Sequence, residues 1–283
     1  ITDDLTIGTR LFFTYIDSSP VPVQNGLGRS NQNLPIHPVF KPDGTYFNPL
    51  RSVRASLDNW ENNSKARTFL ANWFLNYKLA DGLSYRAEYG INSINNNDAS
   101  YLSSIIDSNG EARAFSSAGS RNSWNFKNLL NYRNTFGKHR LDVLAGVEAS
   151  KNPIKVNNIR GTGFSNSTLK TPQDAAVVEI YYNESAKTFL SILGRVNYDF
   201  DGKYLLSVTA RRDGSSVFGR NKRWGLFPAV SLGYNISEEP FFDGIKETVN
   251  YLKLRASYGV SGNAEIGNYA WVSTYAQANY NGS

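Results

Sequence analysis

Residues Leu83–Asn92 read Leu-Ser-Tyr-Arg-Ala-Glu-Tyr-Gly-Ile-Asn. Leu83, Tyr85, Ala87, Tyr89 and Ile91 fall on one face of an extended chain, and Ser84, Arg86, Glu88, Gly90 and Asn92 on the other. Strict period-two alternation of this kind marks a strand with one apolar and one polar surface. The same pattern recurs at 141–149, 190–200, 204–213 and 252–258, and more weakly at 5–15, 67–79, 124–136, 226–236 and 269–280. About ten strands are therefore expected. Many exceed the ~5–6 residues usual in soluble sheets and match the ~9–11 of a tilted strand crossing a bilayer.

The links between these strands are lopsided. Asp81-Gly82, Gly137-Lys138 and Asp201-Gly202 are tight hairpin turns, whereas 17–63, 96–121 and 152–186 are long, polar and rich in Asn, Ser, Gly and Pro. Long and short links alternate, so an up-and-down sheet gathers all short turns at one end, as outer-membrane barrels do. The link at 237–250 is longer than the other turns on its side, and Glu238–Phe242 is expected to form a helical turn there. Tyr77, Tyr85, Tyr132, Phe136, Tyr198, Phe200, Tyr204 and Tyr234 lie beside the short links and fit an aromatic girdle. The polar face then looks into a wet lumen. Arg86, Glu88, Arg195, Asp199, Arg211, Asp213, Lys253 and Arg255 sit on it.

Composition agrees. Among 283 residues, 13% are aromatic, 19% are charged and 32 are Asn, with 23 Gly. The mean hydropathy of −0.43 and the lack of long apolar runs exclude a bundle of membrane helices but not a barrel, whose lumen and loops are polar. Cysteine is absent, which removes disulfides, thiolate metal sites and a Cys nucleophile. The net charge of +6 comes without long basic runs, so no nucleic acid is expected as a partner. The sequence starts at Ile1 and holds no Met, which reads as a processed or internal piece.

Apparent motifs of chemistry fail on inspection. Gly214–Asn221 nearly spells a phosphate-binding loop, but Arg220 and Asn221 replace the Lys and Ser/Thr and a strand follows. Asp107-Ser108-Asn109-Gly110-Glu111 offers oxygen ligands at alternate positions but falls short of the twelve-residue calcium loop. No cofactor is expected, and calcium has only this weak support. The two histidines, His37 and His139, are placed at opposite ends of a barrel and cannot share a catalytic site. No catalytic residue is expected. Trp60, Tyr46, Phe47 and Trp224 lie in or beside long loops, where exposed rings can stack on sugars or grip a protein.

Two longer stretches carry a resemblance. Tyr204–Phe242 reads YLLSVTARRDGSSVFGRNKRWGLFPAVSLGYNISEEPFF and Leu252–Tyr269 reads LKLRASYGVSGNAEIGNY. Both resemble the barrel of SusC/RagA-type TonB-dependent transporters of Bacteroidetes, and Pro38–Phe47 (PVFKPDGTYF) resembles a loop of the same barrel. The resemblance implies an all-β, transmembrane antiparallel β-barrel of about 22 strands with a plug. Residues 1–283 would supply about ten strands from the interior of that single domain, the N-terminal plug and remaining strands lying outside this sequence. It implies TonB-dependent import of a large solute, an oligosaccharide or a peptide, across the bacterial outer membrane, with long loops extracellular. The implied partners are a SusD-like surface lipoprotein, TonB acting through the plug, and outer-membrane lipid. The alternative is a passive porin or small self-contained barrel. Candidate solute contacts are Arg86, Glu88, Arg195, Asp199, Arg211 and Arg255, with the loop aromatics Trp60 and Trp224.

Overall fold

The computed structural model describes residues 4–20 and 36–272. Nine strands form one antiparallel sheet in sequence order: β1 (Leu5–Ser18), β2 (Trp60–Ala80), β3 (Leu83–Leu102), β4 (Arg113–Phe136), β5 (His139–Thr162), β6 (Val177–Phe200), β7 (Tyr204–Ser215), β8 (Trp224–Asn235) and β9 (Lys253–Gly259). Each strand pairs with its neighbours in sequence. Among the described residues β1 and β9 do not meet, so the sheet is an open wall with two free edges.

Period-two alternation has the consequence expected of it. Through the register, Tyr85, Leu130, Ala145, Gly194, Ala210 and Pro228 form one cross-strand row. Val143, Val196, Val208 and Val230 form another on the same face. This face, termed outward, exposes large apolar groups. Leu11 is 62% exposed, Phe13 66% and Leu232 58%. A water-facing surface of that size is costly, whereas lipid accepts it. The conventional core is correspondingly small. Ala55, Tyr101, Ile106 and Ala114 are buried near one end of the sheet, Val217 in the β7–β8 loop and Phe242 in the β8–β9 link.

The short turns form as their residues dictate. Asp201 and Gly202 both have positive φ, at 57° and 70°, as the primed hairpin turns require. Gly82 has φ 75°, and a Cβ there would lie 2.3 Å from the Arg133 carbonyl oxygen, so only glycine fits. The β8–β9 link holds two short 3₁₀ turns, Ile236–Glu238 and Pro240–Ile245, where a helical turn is expected.

Two expectations need correction. The segments 17–63, 96–121 and 152–186 are not loops throughout: β2 reaches up to Trp60, β3 to Leu102, β4 starts at Arg113, β5 runs to Thr162 and β6 starts at Val177. The β3 and β4 extensions are largely polar on both faces, and the β6 extension, Val177–Ala186, carries apolar and aromatic residues on both, so neither shows an alternation to detect. Asn and Ser dominate the β3 and β4 extensions, as in Asn95-Asn96-Asn97 against Ala118-Gly119-Ser120. Within these extensions the ladder is interrupted between β4 and β5, where Pro153 cannot donate to a partner and pairing skips from Lys155 to Lys151. The strand expected at 269–280 is not seen: residues 269–271 form a turn, and 273–280 lie outside the described residues. The true loops among the described residues are shorter. One carries helix α1 (Val53–Asn59), capped by Ser52 Oγ accepting from the Ala55 N–H at 3.2 Å.

Candidate functional site

The face opposite the apolar one gathers the charges. Arg86 lies in one row with Leu129, Gly146, Leu193, Arg211 and Phe227. The adjacent row holds Glu88, Lys127, Glu148, Ser191 and Asp213. Arg195, Asp199 and Arg255 share this inward face through their pairing with Leu144, Arg140 and Gly233. The six charged sequence candidates are thus on one surface, and Trp60 falls on the same side.

Arg86, Glu88, Arg211 and Asp199 are tied into ion pairs that orient them. Arg211 Nη2 reaches Glu148 Oε2 at 2.9 Å and Ser191 Oγ at 2.9 Å, while its Nε donates to Asp213 Oδ1 at 2.7 Å. Lys127 lies 3.8 Å from the other Glu148 oxygen. Arg86 Nε donates to Glu88 Oε1 at 2.5 Å and its Nη1 to Asn76 Oδ1 at 3.1 Å, with the guanidinium 5.3 Å from the Phe74 ring centre. Nearer the short turns, Arg133 binds Asp142 at 2.7 Å and Arg140 lies 3.5 Å from Asp199. Arg133, Arg140, Asp142, Asp199, Lys253 and Arg255 line an open depression of about 680 Å³. Such a surface presents both signs of charge and many hydrogen-bond donors on an open wall rather than in one deep pocket.

The two tryptophans separate. Trp60 pairs with Leu102 on the inward side. Trp224 pairs with Gly214 and shares the outward face with Leu226. Its ring lies 2.9 Å from where a Cβ on Gly214 would stand, and the Arg212 guanidinium sits 5.1 Å above it. The register therefore takes Trp224 away from the other candidates. One-residue parity decides this, and a tryptophan at a strand end carries no parity signal of its own.

Sequence reading missed Glu239. In the β8–β9 link its carboxylate accepts from Lys203 Nζ at 3.0 Å, Tyr204 Oη at 2.9 Å and Tyr234 Oη at 3.2 Å. The Lys203 hydrogen bond, followed by Tyr204, holds the Glu239 carboxyl below its ordinary range. Tyr204 and Tyr234 stack at 5.2 Å, and Phe200 continues the row. All eight aromatics expected as a girdle lie on the outward face beside the short links. His139 joins them, its Nδ1 2.6 Å from Tyr198 Oη, while His37 packs on Phe47 in a distant loop.

The Asp107 loop spends its oxygens on itself. Asp107 Oδ2 accepts from the Asn109 and Glu111 N–H groups at 2.9 and 3.3 Å, and Oδ1 pairs with Arg113 at 2.9 Å. Burial alone would raise this carboxyl, but the backbone donors and Arg113 hold it lowered. Among the described residues no cluster of three or more His, Cys, Asp or Glu is arranged to hold a metal.

Comparison with known proteins agrees with this geometry. Residues 4–282 match the family described as TonB dependent receptor-like, beta-barrel. TonB-dependent receptor P39 of Formosa agariphila is 30% identical over 96% of this chain and 27% of that protein. TonB-dependent receptor SusC of Bacteroides thetaiotaomicron is 32% identical over 53% of this chain and 15% of that protein. The structure of the RagAB peptide transporter superposes with a TM-score of 0.76 at 22% identity, over 95% of this chain and 32% of that one. The chain spans 25–30% of the length of the three Formosa agariphila receptors it matches. The nine-stranded wall is accordingly part of a larger barrel, and barrels of this family reside in the outer membrane. The chain belongs to the TonB-dependent receptor-like β-barrel family.

Proposed function

We propose that this wall lines the lumen of an importer that draws a large polar solute, an oligosaccharide or a peptide, across the outer membrane. The observation that carries the reading is the inward face: Arg86, Glu88, Arg195, Asp199, Arg211 and Arg255 share it, opposite an apolar face suited to lipid. A charged, hydrogen-bonding wall contacts solute directly, and Trp60 adds a stacking ring near the far end. TonB supplies the energy by acting on a plug inside the barrel, and a SusD-like lipoprotein closes the mouth. The short turns face the periplasm and the long loops the exterior. No bond is made or broken in this role, so the inward residues bind and release without catalysis. A structure described as a peptide transporter shares this fold, and uptake decides between the two solute classes. Calcium has no part in this reading.

The test is uptake by cells that depend on the full-length protein. Size-graded oligosaccharides and peptides are supplied with and without an uncoupler of the inner-membrane proton gradient. Energy-dependent accumulation of one class, reduced by Arg211→Ala and Arg86→Ala together, supports the importer. Uptake that survives uncoupling indicates a passive pore instead. The open edges count against a small self-contained barrel, because unpaired backbone groups in hydrocarbon cost several kcal/mol each.

A further inference from the structure

Among the described strand residues, the lysines and arginines that face outward are few and oddly placed. They are Lys65 and Arg67 on β2, Lys151 and Lys155 on β5, and Arg212 on β7. Lys65 lies 3.6 Å from Asp17 and Lys155 2.9 Å from Glu184. Arg67, Lys151 and Arg212 have no carboxylate within salt-bridge distance among the described residues.

These three residues fall on a line. The row through Arg67 meets β5 at Lys155, Lys151 is two rows of outward residues lower, and Arg212 is level with Val147, two rows lower again. From β2 to β7 the line drops about 26 Å over eight residues while crossing about 24 Å of sheet, at ~3.3 Å per residue and ~4.8 Å per strand. It therefore runs at roughly 45° to the strands, which is the tilt of strands in a membrane barrel. In a barrel so tilted the line is level with the membrane plane. The β2–β3 turn stands above the β4–β5 turn in the same sense, since Leu83 is level with Val143, four residues above His139, while the β6–β7 turn lies level with the β4–β5 turn through the His139–Phe200 pair. Below the line the outward face is mainly apolar and aromatic as far as the short turns, with Asn128 and Asn134 bonded to the outward tyrosines Tyr85 and Tyr132, and no lysine or arginine faces outward there.

We propose that Arg67, Lys151 and Arg212 bind phosphate groups on lipids of the outer leaflet, fixing the height of the wall in the bilayer. The proposal rests on reading the sheet as a membrane-barrel wall. Charge and geometry both favour this occupant. The residues stand roughly 15–20 Å apart at the edge of the apolar band, so each meets a separate headgroup. Arg67 lies 5.7 Å from the Tyr15 ring centre and Arg212 5.1 Å from that of Trp224. Stacking holds a guanidinium in place while its edge donors stay available for a forked contact with phosphate. This also gives Trp224 a role on the face where the register puts it.

The test uses the full-length protein purified in detergent, with bound lipid counted by native mass spectrometry. The probes are a diphosphorylated lipid A, its dephosphorylated counterpart and inorganic phosphate. The native protein is expected to hold the diphosphorylated lipid at least about tenfold more tightly than the dephosphorylated one. The triple variant Arg67→Gln, Lys151→Gln, Arg212→Gln should lose that preference, and Lys151→Gln alone should weaken it about threefold. A control with the same charge change on the inward face, Arg10→Gln, Arg121→Gln, Arg160→Gln, should keep it. Heat-modifiable migration on gels reports whether each variant is still a folded barrel, so the single variant decides if the triple one is not. Equal loss in the inward control, equal binding of both lipids, or inorganic phosphate binding as tightly as the phosphorylated lipid would overturn the proposal. Solute uptake is read separately, so the importer and the lipid contact stand or fall apart.

Discussion

The two halves of β5 share one backbone ladder and differ in almost everything else. From His139 to Ala149 the outward residues are His, Leu, Val, Ala, Val and Ala, against Arg140, Asp142 and Glu148 inside. From Ser150 to Thr162 the outward set includes Lys151, Lys155 and Asn157, and the inward set includes Asn152, Asn158 and Arg160. Pairing with β6 is continuous across both halves. Backbone hydrogen bonding thus sets where the strand is, and solvent sets what its side chains are. On the proposed reading the near half separates lipid from water, so its two faces differ, and the far half of β5 meets water on both sides, so they do not.

The largest consequence is for charge on the outward face. Val143→Arg should cost the barrel about 2–4 kcal/mol, because the new cation lies in hydrocarbon. Asn157→Arg, on the same face of the same strand but beyond the cationic line, should change stability by no more than about 0.5 kcal/mol. Urea titration of folding into vesicles measures both, and equal costs would break the distinction between the halves.

A smaller effect is expected on the inward side of the near half. Arg211→Ala leaves Glu148 and Asp213 facing each other without their shared cation. These groups are partly wetted, so the loss should be about 1–2 kcal/mol. Adding Glu148→Gln should recover part of it, and a double-mutant cycle measures the coupling.

Proteolysis sharpens the boundary of the far half. Added to intact cells, a broad protease should cut within 36–52, 103–112 and 163–176, and slowly or not at all within 113–121 and 177–186, where the backbone is paired. The turns Asp81-Gly82, Gly137-Lys138 and Asp201-Gly202 should stay intact from outside. Cleavage there would invert the orientation.

The gentlest prediction concerns the rim of the near half. Glu239 has a lowered carboxyl pKa in the folded protein, so its contribution is present above the ordinary carboxylate range and fades as pH falls through the folded value. Protection factors for amide exchange in 236–245, corrected for the intrinsic rate, should therefore be flat from pH 7 down to about 5 and fall only below about 4.5. Glu239→Gln should remove that acid-dependent step.

How much of this was legible in the sequence follows from the same contrast. Alternation at 83–92, 141–149 and 190–200 located the near halves and their facing, because lipid leaves a mark on every second residue. Asp81-Gly82 and Asp201-Gly202 fixed the turns through the positive φ they tolerate. The far halves were hidden, since Asn95-Asn96-Asn97 and Asn157-Asn158 read as loop by composition and are strand only because a neighbouring strand supplies their hydrogen bonds. The charged inward candidates were found by parity. Trp224 reads as lying beside a long loop, and its facing is fixed only by its pairing with Gly214. Glu239 was missed because its partners, Lys203, Tyr204 and Tyr234, are brought to it only by the β7–β8 pairing.

The most direct test of the account is a spin-label scan of β5. The sequence contains no cysteine, so single cysteines can be introduced into the full-length protein at each position from 140 to 160 where the remainder also lacks reactive thiols. Accessibility to oxygen, which concentrates in lipid, is compared with accessibility to a polar nickel complex. The account predicts period-two oscillation from 141 to 149, with odd positions favouring oxygen, then loss of the oxygen signal at 151 and high nickel accessibility on both faces beyond it. Oscillation that continues unchanged to 159, or none below 150, would contradict a wall whose near half alone is embedded in the membrane.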